Sequence, residues 1–352
     1  MILRPTFSPP RHDLLPGAPA AVPTAPVPAW LRRAVADAQS LAAHGAGPGS
    51  LEEVALVAGA AITALDAVVR REEKWAGTWR QRLALVAAAV AAKQTGRVED
   101  EAALRDTFVF SGSGDRLSGS TTLGPAGQML LGWRRLATRP PEELLTAKNL
   151  GVVLEEFGYA RDAEAIGDLT AELRQLSAKA GMVRMLTGAF VFAERHSFGR
   201  IEGAWFADVL LAQRLGWAHA VPLLGTEATL GGGPARTRRL ATISPARGIE
   251  TEADRAKNLL AAQARAALRA IDLFGELGRR ADKLLAVAPK LRAKGAEAIV
   301  DRLLNEDALI ASRGEQNNGI SDRGLRRLFD RLVELGAVRE LSGRPTFRIY
   351  GL

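Results

Sequence analysis

The sequence predicts a mainly α-helical protein, and three observations support this prediction. The 352 residues are rich in Ala, Gly and Arg, and hydrophobic residues make up 47% of the chain. Apolar residues recur at helical spacing in most of the chain. Alternating Val, Ile and Thr, which is typical of strands, is almost missing from the first 290 residues. We therefore expect no sheet before that point, and the length suggests two or three domains.

Composition excludes several classes of site. The chain has no Cys, so disulfides, thiolate zinc sites, iron–sulfur clusters and cysteine nucleophiles are excluded together. The four histidines are too scattered in sequence to form a His-pair metal motif. We therefore expect no metal, no cofactor and no catalytic residue, and we interpret the protein as non-enzymatic. The histidines are His12, His44, His196 and His219.

Hydropathy predicts a soluble, cytoplasmic protein with no membrane partner. The longest apolar run, from Leu83 to Ala92, is half of the roughly 20 residues that a spanning helix requires. The start of the chain runs into Arg4 and Pro5 without a continuous apolar stretch, which is unlike an export signal.

Residues 1–29 form a proline-rich tail. Eight of the seventeen prolines lie in residues 1–28. Because proline fixes φ and cannot donate a backbone hydrogen bond, we expect this segment to be extended and poorly packed. Two interpretations remain open for it, a plain disordered arm and a docking peptide for a protein partner.

Residues 30–230 are predicted to be a multi-helical domain. We expect the ordered part of the chain to begin near Trp30. Ser50 and Glu53 have the spacing of a capping box, so we expect a helix from Ser50 to Val69. The Gly- and Ser-rich residues 111–122 are typical of a loop. Further helices are predicted over 79–93, 99–107, 125–137, 163–180, 183–194 and 201–215.

Residues 231–292 are predicted to be a basic connector followed by a long helix over 252–280. This stretch holds 13 basic and 6 acidic residues, whereas residues 1–230 hold 24 of each. Nearly all of the net charge of +8 therefore lies here. Contact with a polyanion is one interpretation. A general bias of the chain towards Arg, which outnumbers Lys 39 to 8, is the other.

Residues 293–352 have the outline of a winged helix-turn-helix. A helix is predicted over 296–304, and Ser321 can cap a second helix that Gly336 ends. Strands are predicted over 338–341 and 346–350, on either side of a Ser-Gly-Arg-Pro turn. Only residues 308–312 are available for the middle helix. The order helix, helix, hairpin favours this fold.

Arginines on this module are the candidate contacts with double-stranded DNA. On the second helix they recur every four residues and so form one stripe, and others lie on the hairpin. Asp330 and Glu334 offer the alternative of local ion pairs. The candidates, with three from the basic connector, are Arg323, Arg327, Arg331, Arg344, Arg348, Arg236, Arg238 and Arg239.

The segment beginning at His196 resembles a degenerate form of the Fic-type adenylyltransferase loop, whose pattern is H-P-F-x-D/E-G-N-G-R. His196, Phe198 and Gly203 match the pattern. Arg200 replaces the metal-binding acid, and Ala204 replaces the arginine that holds phosphate. The resemblance implies that an ancestral activity has been lost and that the protein acts as a protein-interaction scaffold.

Five segments resemble the uncharacterised bacterial family of unknown function 1403, and the resemblance extends over residues 50–352. It implies an alphaproteobacterial, often plasmid-linked setting and supplies no activity. The segments are 75–83 (Trp-Ala-Gly-Thr-Trp-Arg-Gln-Arg-Leu), 99–106, 124–127, 205–208 (Trp-Phe-Ala-Asp) together with 215–217 (Leu-Gly-Trp), and 335–352.

We therefore expect a non-enzymatic DNA-associated protein with a regulatory or plasmid-maintenance role. The alternative is a catalytically decayed Fic-like relative that acts as a scaffold.

Overall fold

The computed structural model describes residues 27–44, 48–111, 123–228, 251–291, 295–311, 321–344 and 346–352. These residues are mainly helical, as predicted. Helices α1 to α10 form the first part of the chain. They are α1 (Ala29–His44), α2 (Pro48–Val69), α3 (Ala76–Gln94), α4 (Glu101–Phe110), α5 (Gly124–Thr138), α6 (Pro141–Leu144), α7 (Ala147–Glu156), α8 (Ala163–Lys179), α9 (Met182–Arg195) and α10 (Arg200–Leu215).

Helix α3 lies at the centre of this part. It is buried on several faces and packs against α5, α4 and the 3₁₀ turn Leu224–Thr226. A helix without a polar face is stable only when other elements surround it. The five tryptophans that the helical patterns contain are core residues, at most 7% exposed: Trp75, Trp79, Trp133, Trp205 and Trp217.

Asp208 links α10 to the segment that follows it. Its carboxylate is buried and accepts hydrogen bonds from the backbone N–H groups of Leu223 at 2.8 Å and Leu224 at 3.1 Å. The adjacent Gly225 packs so closely on Trp133 that a Cβ there would lie 2.2 Å from the ring. The acid in the Trp-Phe-Ala-Asp motif therefore fixes the path of a buried turn.

Helix α11 (Glu252–Val287) is the long helix that the sequence predicts, extended by seven residues. A capping box between Thr251 and Asp254 begins it. Its apolar stripe packs along α2 and α1. We refer to α1 to α11 as the helical body.

The described residues from 295 to 352 form a C-terminal module. Its elements are α12 (Ala296–Asn305), β1 (Leu309–Ile310), α13 (Asp322–Glu334), β2 (Arg339–Glu340) and β3 (Ile349–Gly351). The three short strands form an antiparallel sheet in the order β1-β3-β2. Leu309 pairs with Tyr350, and Arg339 pairs with Gly351. The predicted hairpin is confirmed, and β1 adds a third strand to it.

Two local predictions were wrong. The helix that was expected to begin at Ser50 begins at Pro48, so Ser50 lies inside its first turn. The stretch proposed for the middle helix of the C-terminal module contains strand β1 at Leu309 and Ile310. Two other predictions are confirmed. The Ser321 hydroxyl caps α13 by accepting from Gly324 N–H at 3.2 Å, and Gly336 ends that helix with φ +64°.

Candidate nucleic-acid interface

Helix α13 has one buried and one exposed face. Its buried face consists of Leu325, Leu328, Phe329 and Leu332. Phe329 stacks on Tyr350 of β3 with the ring centroids 4.4 Å apart, which fixes the helix against the sheet. The opposite face is solvent-exposed, and it carries the predicted stripe of arginines.

Two arginines of this stripe are available for a partner. Arg323 and Arg327 are exposed, and neither forms an ion pair with any residue that the structure describes. They are four residues apart on a helix and therefore point in the same direction. Arg331 differs, because its Nη1 lies 3.1 Å from Oε2 of Glu334. This pair is one of the local alternatives that the sequence left open.

Both candidate arginines of the C-terminal hairpin are near carboxylates. Arg344 forms an ion pair with Asp106 of α4. Arg348 lies 3.9 Å from Asp330 of α13. Each arginine side chain is about half exposed, at 52% and 48%. The Asp330 carboxylate is exposed as well, and an exposed pair contributes at most about 1 kcal/mol, so Arg348 can exchange Asp330 for a phosphate at little cost. The Asp106 carboxylate is only 18% exposed, so its pair with Arg344 is more protected from solvent.

The hairpin also contacts the helical body through an aromatic pair. Phe347 packs edge to face on Phe110 of α4, with the ring centroids 6.0 Å apart. Phe347 has φ +56°, an uncommon value for a bulky residue. Together with Arg344 and Asp106, this pair holds the hairpin against α4.

A buried carboxylate joins the C-terminal module to the body. Asp307, between α12 and β1, is 4% exposed and pairs with Arg82 of α3 and with Arg105 of α4, the latter at 2.6 Å. Burial alone would raise the pKa of Asp307, but the two guanidinium groups hold it below its ordinary value. Arg134 lies nearby with its guanidinium 4.0 Å from the Phe108 ring centroid, and burial lowers its pKa to about 10.

Positive charge also converges between α11 and the edge strand β2. The pKa of Arg280 is lowered by burial and then by the positive charge of Arg339, with smaller contributions from Arg82 and Arg279. Glu276 pairs with Arg280 and opposes this effect. Arg279 and Arg339 are exposed. Sequence reasoning did not select Arg279 and Arg280, although the excess of basic residues in 231–292 includes them.

Three other candidate contacts, Arg236, Arg238 and Arg239, lie outside the described residues. The proline-rich tail up to residue 26 and the loop residues 112–122 also lie outside them.

The His196 segment forms the connection between α9 and α10. The Nε2 atom of His196 lies 3.0 Å from Oε2 of Glu172, and its ring stacks on Phe198. Glu202 is buried and accepts a hydrogen bond from Gly199 N–H at 2.7 Å. Burial raises the pKa of Glu202. The start of α10 is thus occupied by the helix's own carboxylate, at the position where the Fic-type loop pattern has asparagine.

Among the described residues, no group of three or more His, Asp or Glu side chains is arranged to hold a metal ion. None of their helices has both the length and the apolar composition needed to cross a bilayer.

The molecule is thus a helical body that carries a small module with an exposed basic helix and a three-stranded sheet. The chain belongs to the family described as Protein of unknown function (DUF1403), whose sequence profile matches residues 21–352. No curated protein and no solved structure matches the chain.

Proposed function

We propose that this protein is a non-enzymatic, cytoplasmic DNA-associated protein with a regulatory or plasmid-maintenance role. The C-terminal module would bind duplex DNA as a winged helix-turn-helix, with α13 in the major groove and the hairpin against the backbone. The observation that carries this proposal is the pair Arg323 and Arg327, exposed on one face of α13 without an ion pair to any described residue.

The order of elements supports the same proposal. A helix, a strand, a helix with a basic face and a hairpin that completes a β1-β3-β2 sheet follow one another in the C-terminal module. A winged helix-turn-helix has this order, with a further helix between the first strand and the basic helix. In this chain residues 312–320 occupy that interval.

Other exposed arginines support the proposal. Arg339 on β2 and Arg279 on α11 are exposed and positively charged, and both lie near Arg280. Contacts of arginine with phosphate release counterions, so affinity for DNA should fall steeply as salt is added. Guanidinium groups also recognise guanine edges by paired hydrogen bonds, which would add sequence preference.

The test is a titration of the full chain against a labelled duplex at several salt concentrations. The double variant Arg323→Ala, Arg327→Ala should bind more weakly and reduce the salt slope by about 2, because two phosphate contacts are lost. The control Arg33→Ala, Arg184→Ala removes the same charge from exposed positions on α1 and α9. Absence of binding at low salt, or equal loss in both variants, would overturn the proposal.

A second candidate is the decayed Fic-like scaffold, which the placement of His196 in the short connection between α9 and α10 supports. In that case Glu202 at the start of α10 would exclude the nucleotide phosphates by charge repulsion. Calorimetry with ATP and magnesium tests this point. No heat of binding is expected, and binding that is lost in His196→Ala would instead indicate a functional nucleotide site.

A further inference from the structure

A polar cavity of about 580 Å³ lies where three parts of the chain meet, away from the exposed face of α13. Its walls are the connection between α2 and α3 with the start of α3, the segment that follows α10, and one face of α12. The volume is within the range of small-molecule sites, roughly 300–1,000 Å³. Its lining includes Glu72, Lys74, Arg80, His219, Asp301 and Ala218.

Arg80 is the principal charged group of the cavity. It is half-buried, and its Nε donates to the carbonyl of Ala137 at 2.9 Å. It forms no ion pair with any carboxylate in the described part of the chain. Burial lowers its pKa to about 10, and the charge of Glu72 opposes this effect. A guanidinium that is partly removed from water without a bonded anion is costly, and an anionic ligand would remove that cost.

His219 provides a second group beside Arg80. It is half-buried on the segment that follows α10, and its pKa is lowered by burial and by the nearby charge of Arg80. The imidazole is therefore neutral at pH 7 and offers one N–H donor and one acceptor. Lys74 adds an exposed ammonium at the rim, where the exposed carboxylates of Glu72 and Asp301 can accept from hydroxyl or amine groups.

The backbone at the rim of the cavity is strained. Glu72 has φ +47°, in the left-handed region that side chains other than glycine rarely adopt. Strain of this kind costs on the order of 1–3 kcal/mol and is concentrated at ligand sites in proteins. It is a second observation, independent of charge, that points to this segment.

The walls are held in place by specific contacts, so the cavity is formed in advance of any ligand. The Thr78 hydroxyl donates to the carbonyls of Leu303 at 2.7 Å and Glu306 at 2.9 Å, which fixes α12 against α3. Trp217 donates from Nε1 to Asp66 at 2.7 Å, which fixes the segment that follows α10. Because the walls are already ordered, less conformational entropy of the protein is lost when a ligand binds.

We infer that this cavity binds a small molecule bearing an oxyanion, a phosphate or a carboxylate, whose charged end lies between Arg80 and His219. The exposed carboxylates at the rim favour a ligand that also carries hydroxyl or amine groups. This inference concerns a site that the proposed DNA contact does not use.

The test is calorimetry on the full chain with two probes, inorganic phosphate and malonate, at constant ionic strength. Binding of either probe is expected, and the probe that binds more tightly identifies the phosphate or the carboxylate as the preferred group. Arg80→Met should weaken that binding by about tenfold or more, because a charge-assisted hydrogen bond is lost. The control Arg184→Met removes an exposed arginine from α9 and should leave the binding unchanged.

Arg80 also donates a hydrogen bond to the carbonyl of Ala137, and Arg80→Met removes that bond too. A second variant therefore tests the cavity with this hydrogen bond left intact. Ala218→Trp places a large ring at an exposed position of the cavity wall and should block binding while leaving the fold intact. Failure of both probes to bind the wild-type protein would overturn the inference. So would binding that Ala218→Trp leaves unchanged.

Discussion

Arg344, in the turn of the C-terminal hairpin, forms an ion pair with Asp106 of α4, 238 residues earlier in the chain. The same helix contributes Phe110 to the contact with Phe347. The hairpin is therefore held against the helical body by one charged and one aromatic contact. In the proposed complex with DNA, Arg344 would leave Asp106 and bind a phosphate, so Asp106 competes with DNA for this arginine.

Asp106→Ala should increase the affinity of the full chain for duplex DNA. Without its carboxylate partner, Arg344 no longer has to give up an ion pair before it binds a phosphate, so the affinity should rise while the salt slope stays close to that of the wild type. The measurement is a binding titration at several salt concentrations. Glu101→Ala is the matched control, since it removes one exposed negative charge from the same helix. Equal effects of the two variants would show that only net charge had changed.

Asp307→Ala should destabilise the protein strongly. It leaves Arg82 and Arg105 without their shared carboxylate in a buried site, and the loss of one member of a buried ion pair costs about 3–5 kcal/mol. Urea denaturation measures the free energy of unfolding. Glu306→Ala removes the adjacent acid, whose pair with Arg302 is partly exposed, and should cost less than about 1 kcal/mol. Similar losses of stability in both variants would contradict the assignment of Asp307 as the shared partner of the two buried arginines.

Asp208 should make the stability of the protein depend on pH. Burial raises the pKa of Asp208 to about 7, whereas the same group titrates near 4 in an unfolded chain. Between about pH 4 and 7 the folded state therefore keeps a proton that the unfolded state has released. The contribution of Asp208 to the free energy of unfolding should fall as the pH rises through this range.

The measurement is urea denaturation of the wild-type protein and Asp208→Asn at several pH values. The free energy of unfolding of the wild type, relative to the variant, should decrease by a few kcal/mol between pH 4 and 7, at about 1.4 kcal/mol per pKa unit. Asp168→Asn, at an exposed position on α8, is the control. A wild-type advantage that stays constant with pH would contradict the prediction.

Gly225→Ala should destabilise the buried turn that Asp208 holds. The new methyl group would lie 2.2 Å from the Trp133 ring, which is completely buried and has no room to move. Overpacking of this kind costs about 1–3 kcal/mol. Gly59→Ala, on the exposed side of α2 with nothing within 4 Å, should instead stabilise the protein by about 0.5–1 kcal/mol. Thermal unfolding of the two variants should show shifts of opposite sign.

Sequence reasoning predicted most helices because their local signals are strong. Apolar spacing marks α8 and α11, and cap residues such as Ser321 mark the start of α13. It did not predict α1, α6 or α7; of these, α6 has only four residues, and α7 has ten and follows α6 after a two-residue connection. It also missed β1, because a strand of two residues has no alternation to detect and exists only through its pairing with β3.

The candidate site was predictable in its residue types and not in its pairings. The stripe of Arg323, Arg327 and Arg331 follows from helical spacing alone. The ion pair between Arg331 and Glu334 is equally local, and the sequence offered it as an alternative. The pair of Arg344 with Asp106 and that of Arg82 with Asp307 join residues more than 200 positions apart. Only the tertiary fold determines such contacts, and so it also determines which arginines remain available.

Helix α11 joins distant parts of the molecule through one stiff segment. Its 36 residues extend about 54 Å, and no proline interrupts them. Near its start Arg255 pairs with Glu194 of α9, and near its end Arg280 lies beside Arg339 of β2. One uninterrupted helix therefore carries both contacts, and α9 and the C-terminal sheet lie at its opposite ends.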